Sequence, residues 1–291
     1  MEKKLRMQRV KNQSGFSLTR PTPEELFSPM EVYHENSKIQ PSDFELLTRV
    51  LTVNSSPQIR RVITRPFVNY PGHHAVALPK EFPPSPAPFE SILTNRRSEH
   101  HFSGKPISLE ALARVLFFGD GIVSKLASEE GGSFSLRTAP SGGGLYPVEL
   151  YCFALRVNDL PSGSYFYNPL QNQLELLSEA DFSVPLAEAT SLKREAQAAA
   201  VCIALVGVLP RSSFKYGQRA YRFVLLEAGH IAQNILLTAE SLGLGGLAVG
   251  GFMDDQVNAL LRLDGCQEFV IYLVLVGNKA QAASAGTKPQ P

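Results

Sequence analysis

The sequence predicts a fold that combines a buried β-sheet with long helices. Two apolar runs, Val148–Val157 and Ala198–Leu209, have the length of strands, and the second carries no polar side chain. Apolar residues at helical spacing predict helices at Leu109–Phe118 and Tyr221–Leu242. Three consecutive glycines, residues 142–144, lie directly before the first strand, and we take this turn as the centre of the chain's organisation.

The composition argues against nucleic-acid and membrane partners. A net charge of +1 gives no field that would attract a polyanion. The longest apolar run, Ala198–Leu209, is shorter than the roughly 20 residues that span a bilayer, and the basic N-terminus lacks the apolar block of a signal peptide. We therefore expect a cytoplasmic protein. The charged fraction of 19% is low for a soluble chain and indicates additional surface buried between subunits.

The three cysteines show neither metal-ligand nor redox-motif spacing. Cys152, Cys202 and Cys266 each lie in or beside an apolar, strand-like run. We expect reduced core residues and no metal site.

The chain is predicted to have an N-terminal extension, a linker, a main domain and a tail. Five prolines between Pro79 and Pro88 favour extended, semi-rigid geometry and mark the linker. In the extension, Thr22 is a candidate cap for a helix beginning at Pro23, and Ser42 for a helix over Asp43–Val53. The predicted divisions are residues 1–78 (extension, partly helical), 79–89 (linker), 90–279 (main domain) and 280–291 (disordered tail).

The main domain holds further predicted elements. Ser108 is the expected cap of the helix over Leu109–Phe118, and Gly119 or Gly121 its end. The others are a hairpin (Gly163–Tyr167 and Gln173–Leu177), helices at Leu186–Gln197 and Asp254–Leu263, and a last strand at Phe269–Gly277.

The triple-glycine turn is typical of a backbone that approaches a ligand closely. Consecutive glycines are poor in helices and strands, and a donor-rich loop at the edge of a buried sheet can hold a planar cofactor. The chain has no Walker motif, and its PSGGG lacks the glycine spacing of a nucleophile elbow. The sequence GLGGLAVGG follows a helix instead of opening one, which excludes a dinucleotide fingerprint.

Two polar patches are candidates for binding and chemistry. Arg96, Arg97 and Ser98 suit a phosphate, since guanidinium groups bind its oxygens in a fork; a solvated basic turn is the alternative. Lys215 and Tyr216 form the second patch, followed by Arg219 and Arg222.

The long helix also carries polar residues. Glu227, His230, Asn234 and Ser241 share one narrow stripe with Gln233 at its border, and His230 is expected to be a hydrogen-bonded core histidine. Taken together, the two glycine-rich loops, the basic patch and the Lys-Tyr pair fit a flavin mononucleotide (FMN) site.

Over residues 90–279 the chain resembles the SagB/ThcOx-type dehydrogenases, the azoline oxidases of the nitroreductase superfamily. The motifs that carry the resemblance are RRSEHHF, PSGGGLYPVELY, FKYGQRAYRFVLLEAGHIAQN, GLGGLAVGGF and the terminal VGNK. The resemblance implies an α+β, nitroreductase-like FMN-binding fold. It has a central mixed, mainly antiparallel sheet surrounded by helices, and forms a homodimer with two flavins at the interface.

The resemblance also implies roles for individual residues. One subunit would hold the phosphate and ribityl group through the basic segment and Lys279, and the partner would supply the glycine turn. Gly250 and Gly251 would present amides to the flavin, and Gln233 or Asn234 would contact groups near the dimer interface. Where the family usually has arginine, this chain has His100. The implied cofactor-binding set is Arg96, Arg97, Ser98, His100, Pro140, Ser141, Gly142, Gly143, Gln233, Asn234, Gly250, Gly251 and Lys279.

The implied reaction is oxidation of a thiazoline or oxazoline ring in a ribosomally made, post-translationally modified peptide, with Lys215 and Tyr216 as the catalytic pair. Burial, or the positive charge of Arg219 or Arg222, would lower the lysine pKa enough for proton transfer. The implied partners are an azoline-containing precursor peptide and the cyclodehydratase components of a biosynthetic complex. The alternatives are a general NAD(P)H-dependent nitroreductase or flavin reductase, and a scaffold subunit with a vestigial pocket.

Overall fold

The structure, a computed structural model, describes residues 28–56, 58–59, 68, 70–85, 87–127 and 133–281. The chain divides into two compact units between Ser42 and Asp43. The first unit contains helix α1 (Pro29–Asn36), which begins with a capping box between Ser28 and Glu31. The other elements given below lie in the second unit.

Among the residues that the structure describes, seven strands form one sheet and two more form a separate hairpin. The strands are β1 (Ala75–Ala77), β2 (Ile122–Ala127), β3 (Ser133–Arg137), β4 (Val148–Ala154), β5 (Gly163–Asn168), β6 (Gln173–Glu179), β7 (Val201–Val208), β8 (Leu244–Val249) and β9 (Glu268–Asn278). The order in the large sheet is β1-β6-β5-β4-β7-β9-β8, and β2 pairs with β3. Every ladder between these strands is antiparallel, and parallel pairing occurs in isolated bridges such as Ser98 to Gly246. The predicted mainly antiparallel sheet is confirmed.

Strand β7 lies in the interior of the sheet, between β4 and β9. Its side chains alternate between two apolar clusters, one on each face. Val201, Ile203 and Leu205 belong to the first cluster, and Cys202, Ala204 and Val206 to the second. Because neither face meets solvent, no position in this strand favours a polar side chain, which explains the uninterrupted apolar run.

Helices cover both faces of the sheet. The remaining helices are α2 (Phe44–Ser55), α3 (Phe89–Asn95), α4 (Leu109–Asp120), α5 (Ser183–Ala189), α6 (Lys193–Ala198), α7 (Pro210–Tyr216), α8 (Ala220–Ser241) and α9 (Asp254–Leu261). Apolar side chains of α4 and α8 complete the first cluster, and those of α5, α6 and α9 complete the second. The predicted hairpin, long helix and last strand are therefore confirmed.

The second glycine cluster is a strand, whereas the sequence suggested a loop. Gly245 and Gly246 lie in β8, which pairs with β9 at the edge of the sheet. A β-carbon on Gly246 would lie 2.8 Å from a methyl carbon of Leu236 in α8. These glycines therefore allow close packing within a regular strand, in which the backbone remains extended.

The helix predicted over Leu186–Gln197 is two helices, α5 and α6. The residues between them pair with the segment that follows β8: Thr190 bridges Phe252, and Ser191 N donates to Gly251 O at 3.0 Å. This pairing takes the backbone groups that a continuous helix would have used, so the prediction was wrong at this point.

The predicted N-terminal cap is correct for α4 and wrong for α2. Ser108 caps α4 as expected, with its hydroxyl accepting from Ala111 N, and the helix ends at Gly121. Helix α2 instead begins after Asp43, whose side chain makes no capping hydrogen bond. Ser42 therefore lies one residue too early to cap it.

Two residues expected in the core are exposed. Cys152 and Cys202 are buried as predicted, but Cys266 is exposed in the turn before β9. His230 is also exposed, because it lies on the face of α8 that points away from the sheet, whereas Glu227 on the same stripe is fully buried.

None of the helices in the described ranges combines the length and apolarity needed to cross a membrane. The helix predicted at Pro23 and most of the predicted tail (residues 282–291) lie outside the described residues.

Candidate active site

The triple-glycine turn and the Lys-Tyr pair lie directly against each other. Residues 142–144 form a single 3₁₀ turn, with Gly143 and Gly144 at φ values of 71° and 66°. A β-carbon on Gly143 would overlap the hydroxyl oxygen of Tyr216 and would lie 3.3 Å from Lys215 Nζ. Only glycine fits this position, both for its backbone conformation and for this contact.

Burial changes the acid–base properties of the pair. Lys215 and Tyr216 occupy the last turn of α7, and the lysine side chain is buried with its Nζ 5.3 Å from the centre of the tyrosine ring. Desolvation lowers the pKa of Lys215 and raises the pKa of Tyr216. Of the two causes considered from sequence, burial is the one that acts. The arrangement places an amine with a reduced pKa beside a phenol that stays protonated.

Tyr146 fixes the other end of the glycine turn. It has a φ of 45°, which is strained for a residue with a β-carbon. Its N–H donates to Ser141 Oγ at 2.8 Å, and its hydroxyl accepts from Arg137 N at 3.1 Å. Its carbonyl accepts from Arg211 Nη1 at 2.7 Å. These bonds hold the backbone in a conformation that it would not adopt alone.

A group of buried charges lies behind the turn. The Arg137 guanidinium, fully buried, pairs with Asp120 and lies 3.8 Å from Glu149, and Arg211 pairs with Glu149 at 2.6 Å. Burial raises the pKa of Asp120 to about 7, although Arg137 opposes the shift. Because charges are costly to bury, such a group requires its members to be paired.

Glu227 joins this group from helix α8. Its Oε1 accepts from Val148 N at 3.2 Å, so the carboxyl supports the start of β4 directly after the turn. Burial raises the pKa of Glu227 to about 8, with the negative charge of Asp120 adding to the shift and the Ser141 hydroxyl opposing it. The side chain is therefore largely protonated at neutral pH.

The basic segment lies elsewhere, along strands β8 and β9. Ser98 bridges Gly246, and Phe102 bridges Lys279. A β-carbon on Gly245 would lie 2.5 Å from a side-chain carbon of Glu99. Because the glycines of β8 carry no side chains, the segment that contains Arg96 and Arg97 can pack against this strand.

The proposed phosphate ligands differ in their partners. His100 pairs with Glu195 at 3.1 Å and Lys279 with Glu240 at 2.8 Å. Arg97 donates to the backbone carbonyls of Thr94 and Arg96. Arg96, by contrast, forms no ion pair with a described carboxylate.

The other predicted contact residues occupy distinct environments. Gly250 is exposed, and a β-carbon at this position would make an ordinary van der Waals contact with the ring of Tyr272 at 3.8 Å. Gly251 accepts at its carbonyl from the Ser191 hydroxyl at 2.9 Å. Pro140 and Gln233 are exposed, and the Asn234 amide donates to Gly119 O at 3.3 Å. The roles assigned to these residues stay predictions.

In one chain the glycine turn with its Lys-Tyr pair therefore lies near one end of helix α8, and Lys279 lies near the other. The glycine turn contacts Phe223 near the start of the helix, and Lys279 pairs with Glu240 near its end. At a rise of about 1.5 Å per residue, these two helix positions lie about 25 Å apart.

The candidates taken from the sequence did not include four charged residues of the group behind the turn: Asp120, Arg137, Glu149 and Arg211. The signal that could have found them is a charged residue within an apolar segment, as Glu149 is within β4.

A comparison with protein-family models matches residues 93–278 to the nitroreductase family. The chain belongs to this family. It is 31% identical over 192 residues to a nitroreductase-type protein of Methanocaldococcus jannaschii, covering 66% of this chain and 91% of that one. It is also 28% identical over 197 residues to the microcin B17-processing protein McbC of Escherichia coli, covering 60% and 68% of the two chains.

A solved structure gives the same result for the fold. A nitroreductase-type protein of Anabaena variabilis superposes with a TM-score of 0.66 at 28% identity, covering 84% of this chain. This chain spans 45% of the length of that protein. The predicted nitroreductase-like fold and the resemblance that implied it are confirmed, and the protein has the fold of a flavin-dependent oxidoreductase family.

The raised pKa of Glu227 predicts a pH-dependent stability. Its folded pKa of about 8 lies above the unfolded value of about 4.3, so the folded chain binds more protons between these pH values. The free energy of unfolding should therefore fall as pH rises through this range and level off above it. Glu227→Gln keeps an acceptor for Val148 N but cannot ionise. We expect its melting temperature to match that of the wild type near about pH 5 and to exceed it near about pH 9, by about 2–4 °C per kcal/mol relieved.

Thermal unfolding of both proteins across this range checks the prediction, with the exposed Glu188→Gln as control. Equal pH dependence in Glu227→Gln and the wild type would contradict it.

Proposed function

We propose that this protein is an FMN-dependent dehydrogenase that oxidises thiazoline or oxazoline rings to thiazoles or oxazoles in a ribosomally made peptide. The observation that carries the proposal is the contact between the glycine turn at Gly143 and the pair formed by the buried Lys215 and the half-buried Tyr216. Similarity to the microcin B17-processing protein of Escherichia coli supports a peptide substrate.

The chain's residues fit FMN. Gly143 and Gly250 leave backbone accessible without side chains, and Arg96 is available to a phosphate. In the proposal Arg96, Ser98 and Lys279 bind the phosphate end, and the turn from Pro140 to Gly143 binds the ring system. His100 and Lys279 would exchange their present carboxylate partners for the phosphate or share them with it. Bound FMN would supply the two-electron acceptor that an azoline dehydrogenase needs.

The protein's own contribution is proton transfer and positioning. Lys215, with a pKa lowered by burial, accepts the proton that leaves the azoline ring carbon. Tyr216, with a raised pKa, remains a phenol and donates a hydrogen bond. The buried charges around Arg137 hold the turn that faces both groups.

The proposal includes a homodimer whose two sites each combine residues of both subunits. The helix positions next to the glycine turn (Phe223) and to Lys279 (Glu240) lie about 25 Å apart along α8, which supports this arrangement, since one chain then presents each group to a different site. Helix α8 also exposes Leu225 and Leu226, which a partner subunit would cover. The further proposed partners are the precursor peptide and the cyclodehydratase components of a biosynthetic complex.

A general NAD(P)H-dependent nitroreductase or flavin reductase is the second candidate. The 31% identity to the Methanocaldococcus jannaschii protein, over 91% of its length, favours it. A scaffold subunit without chemistry would not require the lysine pKa to be lowered.

The catalytic assignment predicts that Lys215→Ala and Tyr216→Phe slow azole formation and leave FMN bound. Loss of a positioned proton acceptor should lower kcat by about 10²-fold or more in Lys215→Ala. The purified protein is incubated with an azoline-containing peptide, and loss of two hydrogens per ring is followed by mass spectrometry. Lys193→Ala, at an exposed site, and Tyr165→Phe, in strand β5, serve as controls.

Rapid NADPH-dependent reduction of nitroaromatics, with the azoline peptide left unchanged, would instead establish the second candidate. If the variants lost FMN together with activity, the pair would be structural.

The phosphate assignment predicts weaker FMN binding in Arg96→Ala. Loss of a charge-assisted contact of about 1.5–3 kcal/mol should raise the Kd for FMN by roughly 10- to 100-fold. Flavin absorbance per subunit after dialysis and fluorescence titration measure the effect, with Arg194→Ala as an exposed control. Unchanged flavin content in Arg96→Ala would show that the phosphate binds elsewhere.

A further inference from the structure

Arg211 links the two segments that form the candidate site. It lies in the first turn of helix α7, whose last turn carries Lys215 and Tyr216. Its Nη1 donates to the carbonyl of Tyr146 at 2.7 Å and to Glu149 Oε1 at 2.6 Å. One guanidinium thus holds the helix of the Lys-Tyr pair to the glycine turn and to the buried end of β4.

Both acceptors are themselves fixed. The backbone at Tyr146 has a strained φ of 45°, and this conformation directs its carbonyl toward Arg211. Glu149 is 1% exposed, and its Oε1 also accepts from Val68 N at 3.3 Å. Because Glu149 is buried and charged, releasing Arg211 would leave it partly unpaired, which opposes movement of α7.

The contact between Tyr216 and Gly143, which this link maintains, tolerates little displacement. The hydroxyl of Tyr216 occupies the space where Gly143 would otherwise bear a β-carbon. Reactions that depend on oriented groups lose much of their rate when one group shifts by about 1 Å. A small displacement of α7 would therefore move Lys215 and Tyr216 away from a substrate held at the turn.

We propose that Arg211 is a positioning residue, which holds helix α7 against the glycine turn so that Lys215 and Tyr216 face the substrate. The inference deepens the proposed function and depends on it for its effect on catalysis. Arg211 touches neither substrate nor cofactor in this account; it acts through the Lys-Tyr pair.

The test uses Arg211→Lys in the full-length, FMN-loaded protein. Lysine keeps the charge but is one bond shorter, so it cannot reach both acceptors without moving α7. We expect kcat for azoline oxidation to fall by roughly 10- to 100-fold. The KM for peptide and the Kd for FMN should stay within about twofold, because the groups that bind them are unchanged.

The same change is made in a Lys215→Ala, Tyr216→Phe background. Since Arg211 acts through this pair, Arg211→Lys should cause no further loss of kcat there. An equal fractional loss in both backgrounds would overturn the proposal and indicate a general structural role. Arg156→Lys is the matched control, because Arg156 also donates to a backbone carbonyl, that of Ala199, at 2.8 Å.

A second measurement does not depend on activity. Amide hydrogen exchange of the FMN-loaded protein should accelerate in Arg211→Lys at residues 141–147 and 210–216 together, and remain unchanged in strands β5 and β6. Unchanged exchange in the first two segments would overturn the proposal. If the wild type did not oxidise azolines, the proposed function would fail, and the exchange measurement would still decide whether Arg211 holds the two segments together.

Discussion

The site depends on the close approach of Tyr216 to the backbone of Gly143. A β-carbon at Gly143 would overlap the tyrosine hydroxyl. This contact joins a turn that suits a planar cofactor to the buried amine of Lys215 and the half-buried phenol of Tyr216, which suit proton transfer. Neither segment is specific alone. A glycine-rich turn occurs in many folds, and a Lys-Tyr pair is usually an exposed feature of a protein surface. Here the two segments are in contact within a nitroreductase fold.

Buried charge fixes the geometry of this approach. Asp120, Arg137, Glu149 and Glu227 lie behind the turn, and Arg211 reaches them from the helix of the Lys-Tyr pair. Such a group costs free energy to desolvate, so it adds little net stability, but it admits few alternative arrangements. The strained backbone of Tyr146 persists because these partners over-determine it. Burying these charges therefore costs free energy but fixes the conformation of the glycine turn.

Much of the fold could be predicted from the sequence, because the hydrophobic periodicity and the positions of glycines reflect local secondary structure. The interior strand β7, the long helix and the Ser108 cap follow from such local signals. The break at Thr190 did not, since it results from pairing with Phe252, about sixty residues away. The prediction for His230 was wrong for a related reason: an apolar helix that packs against a sheet on one side and exposes leucines on the other, such as Leu225 and Leu226, gives the same pattern as a fully buried helix. The motifs identified the candidate residues. The structure is needed to show that Lys215 lies beside Gly143 and that Arg211 links helix α7 to the glycine turn.

Gly143 and Gly144 offer the most direct test of the central contact. Alanine at either position would carry a similar backbone penalty, since their φ values are 71° and 66°, but only the side chain at 143 would overlap Tyr216; Gly144 has open space. The measurement is kcat for azoline oxidation in Gly143→Ala and Gly144→Ala. We expect the first to be slower than the second by about tenfold or more. Equal rates in the two variants would contradict the account.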